Sequence, residues 1–173
     1  SFSKRKIYGG INTSCKLILE SSYFGPFQII PFDSTQISNP PPNFIIRLFL
    51  SGVRLIHFGI KILLKKPKIS LIFCSDGASA IEKGVMICFC KIFGVKTFIF
   101  PRAGGLINQT YKSSFFKYLI KFLFNKAELF LAQGENWNRF AKNQLQIPKN
   151  KIQIINNWTA TPKLLEIGLK KDY

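Results

Sequence analysis

The sequence predicts an α/β domain with a Rossmann-like, doubly wound and mostly parallel sheet. Short runs rich in β-branched and aromatic residues alternate with longer amphipathic segments, as strands and helices do in such folds. Loops containing Gly, Asp or Pro follow the runs. With 173 residues and a hydrophobic content of 47%, the chain is long enough for one domain with a proper core. About five strands are expected.

The amino-terminal segment predicts a glycine loop that leads into a helix. Gly9 and Gly10 precede Asn12 and Thr13, and an apolar helical pattern continues to Leu19. Backbone N–H groups in such a turn and at the start of a helix suit an anion. A β-α-β unit requires a hydrophobic strand before the glycines, and this chain has none, so we expect the first strand to be missing.

A strand, a loop and a long helix are predicted next. Residues 27–32 form an apolar run typical of a strand, and the prolines within 38–43 indicate an irregular loop. Asn43 is a candidate N-cap for a helix from Phe44 to about Lys65.

This long helix is apolar enough to raise the question of a membrane span. However, Arg47, Arg54 and Lys61 are seven residues apart and fall on nearly one line. A span would not carry that stripe through the bilayer centre. Two interpretations stay open: a helix packed on the sheet, which we favour, and a packed helix that also contacts a lipid surface.

Two strands with a helix between them are predicted over residues 69–100. The first strand, 69–74, is followed by Asp76, which either orients a ligand hydroxyl or caps the next helix. That helix covers 78–93. The second strand, 96–100, ends at Pro101.

The loop after this strand carries Arg102, Gly104 and Gly105. A guanidinium beside an open backbone, just past the carboxyl end of a strand, suits an anionic or phosphorylated group. The alternative is a surface turn with a solvated arginine.

The rest of the chain repeats the pattern. A basic amphipathic helix over 111–126 carries Lys117 and Lys121 on one face. Three further elements follow: a strand over 128–132 that ends in Gln133-Gly134-Glu135, a helix over 136–145 and a strand over 151–155 that precedes Asn157.

The net charge of +17 comes from 25 Lys and Arg against 8 Asp and Glu. Such an excess suits membrane lipid, nucleic acid or a phosphorylated substrate. The basic residues are spread along helices without any nucleic-acid-binding motif, which argues against nucleic acid as a partner. The four cysteines form no CxxC pair and have no His cluster beside them, so no metal site is predicted and a reducing cytosol is expected.

In their order, these motifs resemble the amino-terminal domain of GT-B-fold glycosyltransferases of family 4, the retaining group that builds bacterial surface polysaccharides. Beside the Gly9-Gly10 loop, residues 66–72 stand in the place of the family's xPDVV strand, and 100–105 is similar to its PRSG-type loop. Residues 125–134 with 147–158 look like the family's AD-strand-helix-xxP-xxKIxVIxN block. The resemblance covers nearly the whole chain.

The resemblance implies that residues 1–158 form the acceptor-side domain of a GT-B glycosyltransferase and that 159–173 begin an interdomain linker. The donor-binding domain, with its E-x7-E motif, is absent from this chain, which alone is therefore expected to be inactive. A nucleotide sugar is the implied co-substrate, and this domain is expected to bind no cofactor and no metal.

Site residues follow from the same resemblance, which assigns no catalytic residue. Gly9 and Gly10 are expected to approach the donor diphosphate. The residues expected to line the acceptor side of the cleft are Asn12, Thr13, Asp76, Arg102, Gly104, Gly105, Gln133, Glu135 and Asn157. Arg102 stands where many relatives have a histidine. The basic residues expected to face a membrane are Arg47, Arg54, Lys61, Lys117 and Lys121.

Three hypotheses for the function remain. The first is a glycosyltransferase fragment that transfers a sugar to a lipid-linked or polysaccharide acceptor, in the cytoplasm and peripheral on the inner face of the membrane. The second is a non-catalytic, membrane-docking and acceptor-binding subunit of a split enzyme. The third, a basic nucleic-acid-binding protein, is disfavoured.

Overall fold

A computed structural model of the chain describes residues 10–21, 25–35 and 42–156. Contacts divide the chain into two units, Ser1–Thr35 with Asn156–Tyr173 and Gln36–Ile155, and each is described by itself. Gly9, Asn157 and the predicted linker lie outside the described residues.

The helix predicted in the first unit is confirmed as α1, Gly10–Glu20. Asn12 and Thr13 lie in its first turn, half-buried and exposed respectively. Ser14 is buried, and its hydroxyl donates to the carbonyl of Gly10 at 2.9 Å. This bond back to the preceding turn satisfies the hydroxyl within the helix.

The strand predicted over residues 27–32 is wrong. The segment 25–35 is a turn followed by irregular backbone, and the sheet of the described residues is built from four other strands. Phe27 is exposed, and Pro31 has no N–H to donate to a ladder. The carboxylate of Asp33 accepts bonds from the backbone N–H and the hydroxyl of Thr35, at 2.9 and 2.6 Å. Local bonding therefore favours a turn over a strand here.

The second unit alternates helices and strands. Its elements are α2 (Phe44–Lys65), β1 (Ile69–Cys74), α3 (Ala78–Ile92), β2 (Lys96–Pro101), α4 (Gly105–Lys112), α5 (Ser114–Phe124), β3 (Leu129–Ala132), α6 (Glu135–Asn143) and β4 (Ile152–Ile154). The strands pair in the order β1-β2-β3-β4, all parallel. The predicted α/β fold with a parallel sheet is confirmed, and it is consistent with a Rossmann-like doubly wound fold.

Three helices cover the same face of the sheet. The ring centre of Phe130 in β3 lies 6.4 Å from that of Phe124 in α5 and 6.5 Å from that of Trp137 in α6. By the strand register, Ser70 in β1 lies on the same face of the sheet as Phe130. Its hydroxyl interacts with Cys90 of α3. Right-handed crossovers between successive neighbouring strands put their helices on one face, as observed.

The single helix predicted over 111–126 is two helices. Ser113 is extended, with φ −137° and ψ 112°, and separates α4 from α5. Its hydroxyl accepts a bond from the backbone N–H of Phe116 at 3.2 Å and so caps α5. The predicted loop after β2 is correspondingly short, because α4 begins at Gly105.

The long predicted helix is confirmed as α2, and Asn43 caps it by accepting from the N–H of Ile46 at 3.1 Å. The helix packs against α3 along two points of contact. Arg54 bonds to Glu82, and a Cβ on Gly59 would lie 3.8 Å from the ring of Phe89. The second contact lies closer to the carboxyl end than the first in both helices, so α2 and α3 run in roughly the same direction.

A buried ion-pair cluster lies at this contact. Arg54 donates to both carboxylate oxygens of Glu82, at 3.1 and 2.6 Å. The Ser51 hydroxyl donates at 2.6 Å, and the Lys83 ammonium donates at 2.7 Å. Burial raises the pKa of Glu82, but the bonds from Arg54, then Lys83 and Ser51, lower it to about 2, so that the carboxylate stays ionised. Burial lowers the pKa of Lys83, and Glu82 opposes that shift.

This contact turns the apolar side of α2 away from α3. Arg54, expected to face a membrane, is held against α3 instead, and Lys61 is half-buried, whereas Arg47 is exposed. In α5, Lys117 and Lys121, which were also expected to face a membrane, are half-buried. The Lys121 ammonium donates to the side chain of Gln146. In both helices the exposed side carries mainly large apolar residues.

We predict that Gly84→Ala destabilises the fold. A Cβ at this position in α3 would lie 2.6 Å from Cδ1 and 2.7 Å from Cβ of Leu123 in α5, so the two helices must separate. Such overpacking lowers the free energy of unfolding by about 1–3 kcal/mol. Gly59→Ala is the control, since its Cβ meets Phe89 at an ordinary 3.8 Å. Urea unfolding should show no loss for the control; equal loss in both variants would contradict the packing.

We also predict that Glu82→Gln lowers the free energy of unfolding by about 3–5 kcal/mol at neutral pH, because Arg54 and Lys83 lose their buried counter-charge. The folded-state pKa of Glu82 is lowered from 4.5 to about 2, so its stabilisation is complete above about pH 4.5 and is lost as the pH falls towards 2.

The difference between wild type and Glu82→Gln should therefore shrink over that pH range, as measured by denaturant unfolding. Glu128→Gln, at an exposed position, should differ from wild type by no more than about 0.5 kcal/mol throughout. A constant difference from pH 7 to pH 2 would contradict an ionised Glu82.

Candidate functional site

The loops at the carboxyl ends of β1, β2 and β3 lie side by side. Asp76 follows β1, Arg102 follows β2 and Gln133 follows β3. The pairing of the first two strands continues into their loops, where the N–H of Arg102 donates to the carbonyl of Cys74 at 2.9 Å. Open parallel sheets bind ligands at this edge, so we take it as the candidate site.

Asp76 packs against the first turn of α4. A Cβ built on Gly105 would lie 3.1 Å from Cγ of Asp76 and closer still to Oδ2, so only a glycine leaves room for the carboxylate. The other carboxylate oxygen accepts from the Ser75 hydroxyl at 3.1 Å. The alternative that Asp76 caps α3 is wrong, because the N-cap is Gly77 and no side chain bonds there. A carboxylate beside the start of α4 is favoured by the helix dipole.

Gln109 joins the loop after β1 to α4, and the sequence analysis missed it. Its Oε1 accepts from the N–H of Gly77 at 2.7 Å. Gly77 has φ +55°, a conformation that side-chain-bearing residues rarely adopt. The signal that could have found Gln109 is its position one helical turn after Gly105, but that required α4 to be predicted as a helix.

Arg102 and Gln133 are held in place by the end of β2. The guanidinium carbon of Arg102 lies 5.1 Å from the ring centre of Phe100, a cation–π arrangement. The amide of Gln133 donates to the carbonyl of Pro101 at 2.8 Å. Gln133 thus ties the loop after β3 to the loop after β2 and positions it.

The other predicted residues are distributed around this edge or lie elsewhere. Glu135 is exposed in the first turn of α6, and its carboxylate accepts from the Asn138 amide at 3.1 and 3.2 Å. Gly104 is exposed immediately before α4. Gly10, Asn12 and Thr13 belong to the first unit.

A cavity of about 410 Å³ opens beside the loop that follows β1. It is lined by Gly77, Ala78, Ile81, Gln109, Lys112, Ser113 and Phe116. A second cavity, of about 340 Å³, lies near the opposite edge of the sheet, where Lys68 precedes β1 and Val95 precedes β2. Only the first adjoins the candidate site.

The thiol closest to the site is not a nucleophile. Cys74, the last residue of β1, is buried, and this burial raises its pKa to about 12, although Lys83 opposes the shift. Among the described residues, no group of three or more His, Cys, Asp or Glu side chains is arranged to hold a metal ion. The site offers a carboxylate, a guanidinium and the backbone N–H groups that begin α4, which suit hydroxyl and anion recognition.

Comparisons with protein-family models, with curated proteins and with solved structures give no significant match. Within the part of the chain that the structure describes, no helix is both long enough and apolar enough to cross a membrane.

We predict that Gly105→Ala displaces the Asp76 carboxylate from α4 and lowers the melting temperature, because its Cβ would occupy the space of that carboxylate. Gly104→Ala is the matched control, since its Cβ would meet nothing within 4 Å. Thermal unfolding followed by circular dichroism should separate the two variants. Identical melting temperatures would contradict the packing of Asp76 on α4.

Proposed function

We propose that the chain is the acceptor-side half of a GT-B glycosyltransferase. It would bind the acceptor while a sugar is transferred from a nucleotide sugar to a lipid-linked or polysaccharide acceptor in surface polysaccharide synthesis. The observation that carries the proposal is the meeting of Asp76, Arg102 and the start of α4 at the carboxyl edge of a parallel sheet. These are also the positions that the sequence resemblance singles out.

In this proposal, Asp76 recognises the acceptor. A carboxylate accepts hydrogen bonds from sugar hydroxyls, and Asp76 is fixed for that role by Ser75 and by its contact with Gly105. The carboxylate also lies beside the first turn of α4.

Arg102 would bind an anionic group of the acceptor or of the departing diphosphate. Its guanidinium already lies over Phe100, so less side-chain freedom is lost when it pairs with a phosphate. Gly104 and Gly105 leave the neighbouring backbone open to the same anion.

The chemistry of the proposed reaction is a substitution at the anomeric carbon. The bond between that carbon and the diphosphate oxygen breaks, a bond to the acceptor oxygen forms, and the acceptor proton leaves with the diphosphate. This half would hold the acceptor hydroxyl in position, and positioning alone lowers the barrier. Retention of configuration follows from the resemblance.

A second candidate is a non-catalytic subunit that docks at a membrane and binds the acceptor for a separate donor-binding chain. The exposed apolar sides of α2 and α5 favour it. The two candidates share the site and differ in where the donor half is encoded.

We predict that Asp76→Ala and Arg102→Ala each lower kcat/KM for sugar transfer by about 10- to 100-fold, the loss of one charge-assisted hydrogen bond. The assay uses the complete reading frame that encodes the chain, radiolabelled nucleotide sugars and membranes of the host as acceptor source. Arg139→Ala is the control, because Arg139 is exposed on α6 and bonds only Asn136 among the contacts described.

Unchanged transfer in both site variants would remove this edge from the acceptor site. Transfer that appears only when a second, donor-binding chain is added would favour the subunit candidate. Absence of transfer from every nucleotide sugar, with or without a second chain, would contradict the proposed function.

A further inference from the structure

The exposed side of α2 carries a row of large apolar side chains. We define the α2 stripe as Ile45, Phe49, Ile56, Ile60 and Leu63, whose exposed fractions are 77%, 70%, 63%, 48% and 49%. Exposure of isolated apolar residues is ordinary, but five large ones on one side of a helix mark a binding surface.

The stripe faces outward because the opposite side of α2 packs against α3. Arg54 and Ser51 bond the buried Glu82, and Phe58 and Ile62 are buried as well. Rotating α2 to bury the stripe would break the ion pair and leave the Glu82 carboxylate without Arg54, at a large cost. The exposure of the stripe is therefore built into the fold of the second unit.

The surroundings of the stripe are strongly basic. No acidic residue occurs in α2, and residues 42–127 contain only Asp76 and Glu82, the latter neutralised by its ion pairs. Three exposed lysines lie at the end of the helix or just after it: Lys65 in its last turn, Lys66 at its C-cap and Lys68 before β1. An anionic occupant is attracted to this surface, whereas a second copy of a chain with net charge +17 is repelled.

The chemistry of the stripe also favours lipid over protein. Its side chains are all aliphatic or phenyl and offer no hydrogen-bonding group, although protein interfaces contain about one hydrogen bond per 100–200 Å². Acyl chains require none. A helix with an apolar face and basic residues away from it lies in the plane of a membrane interface.

We propose that α2 docks on an anionic bilayer, with its stripe among the acyl chains and Lys65, Lys66 and Lys68 at the lipid phosphates. The apolar side of the helix therefore enters the membrane, and the line of Arg54 and Lys61 does not. This inference deepens the second candidate function, the membrane-docking subunit, and rests on the same exposed side of α2. Vesicle binding can be measured without any sugar transfer, so failure of the docking and failure of the proposed function are distinguishable.

The test is flotation of the full chain with vesicles of phosphatidylcholine alone or with about 30% phosphatidylglycerol. Flotation is preferred to sedimentation because aggregated protein stays at the bottom of the gradient. We expect the wild type to float with the anionic vesicles, and to float less with the neutral ones or at high salt.

The key variant is Ile56→Ser with Ile60→Ser, which we expect to lower the partition coefficient by about tenfold or more. Its control is Ile69→Ser with Leu71→Ser in β1, two residues that are exposed to 51% and 40%. These lie on the sheet face away from α3, so the control should float like the wild type. Replacing Lys65, Lys66 and Lys68 by Gln should weaken anionic binding by about fivefold per lysine.

Several results would overturn the proposal. These are a wild type that fails to float, equal flotation with neutral and anionic vesicles, and stripe and control variants that float alike. A dimer in light scattering that the stripe variant abolishes would show that a second copy covers the stripe. Loss of the circular dichroism signal in the stripe variant alone would show that the stripe is packed within the chain.

Discussion

The buried carboxylate of Glu82 is the constraint on which the arrangement of the second unit depends. A buried charge is costly unless every partner is in place, and here Arg54, Lys83 and Ser51 together supply them. The cluster does not make the fold stable by itself, since an apolar contact could do as well. It fixes which side of α2 faces α3, because any other rotation leaves a charge unpaired. The cluster therefore contributes specificity for one orientation of α2.

Two surfaces follow from the position of α3. The side of α3 that carries Glu82 packs against α2, and this contact leaves the α2 stripe exposed. Its amino end begins at Gly77, which Gln109 holds against α4, and the preceding Asp76 lies on Gly105. The helices α2 and α3 run in roughly the same direction, so the first turns of α2 lie towards the same edge of the sheet as Asp76 and Arg102. The α2 stripe, which we propose to contact lipid, and the candidate site are thus both positioned by α3.

Much of this could be predicted from the sequence where local signals and the fold agree. The four strands of the second unit, α2 with its Asn43 cap and the loops carrying Asp76 and Arg102 all follow from hydrophobic periodicity and from the positions of Gly, Pro and capping residues. The orientation of α2 could not be predicted, because Arg54 pairs with the buried Glu82, 28 residues away. The usual expectation that the apolar side of a helix packs inward assigns the opposite side. The helix α4 was missed because two glycines and polar residues weaken its pattern, while a non-local bond from Gly77 to Gln109 supports it. Residues 27–32 have strand composition, but a proline and a local Asp33 turn prevent strand pairing.

The orientation of α2 is the central claim, and an environment-sensitive fluorophore tests it most directly. The four cysteines would be replaced by alanine and a single cysteine placed at position 56 or 58 for labelling with a nitrobenzoxadiazole dye. At position 56 the dye should be in water without vesicles and move to an apolar environment when anionic vesicles are added. At position 58, which is buried, vesicles should leave the emission unchanged. A dye at position 56 that is already shielded in solution, or that does not respond to vesicles while position 58 does, would contradict this orientation.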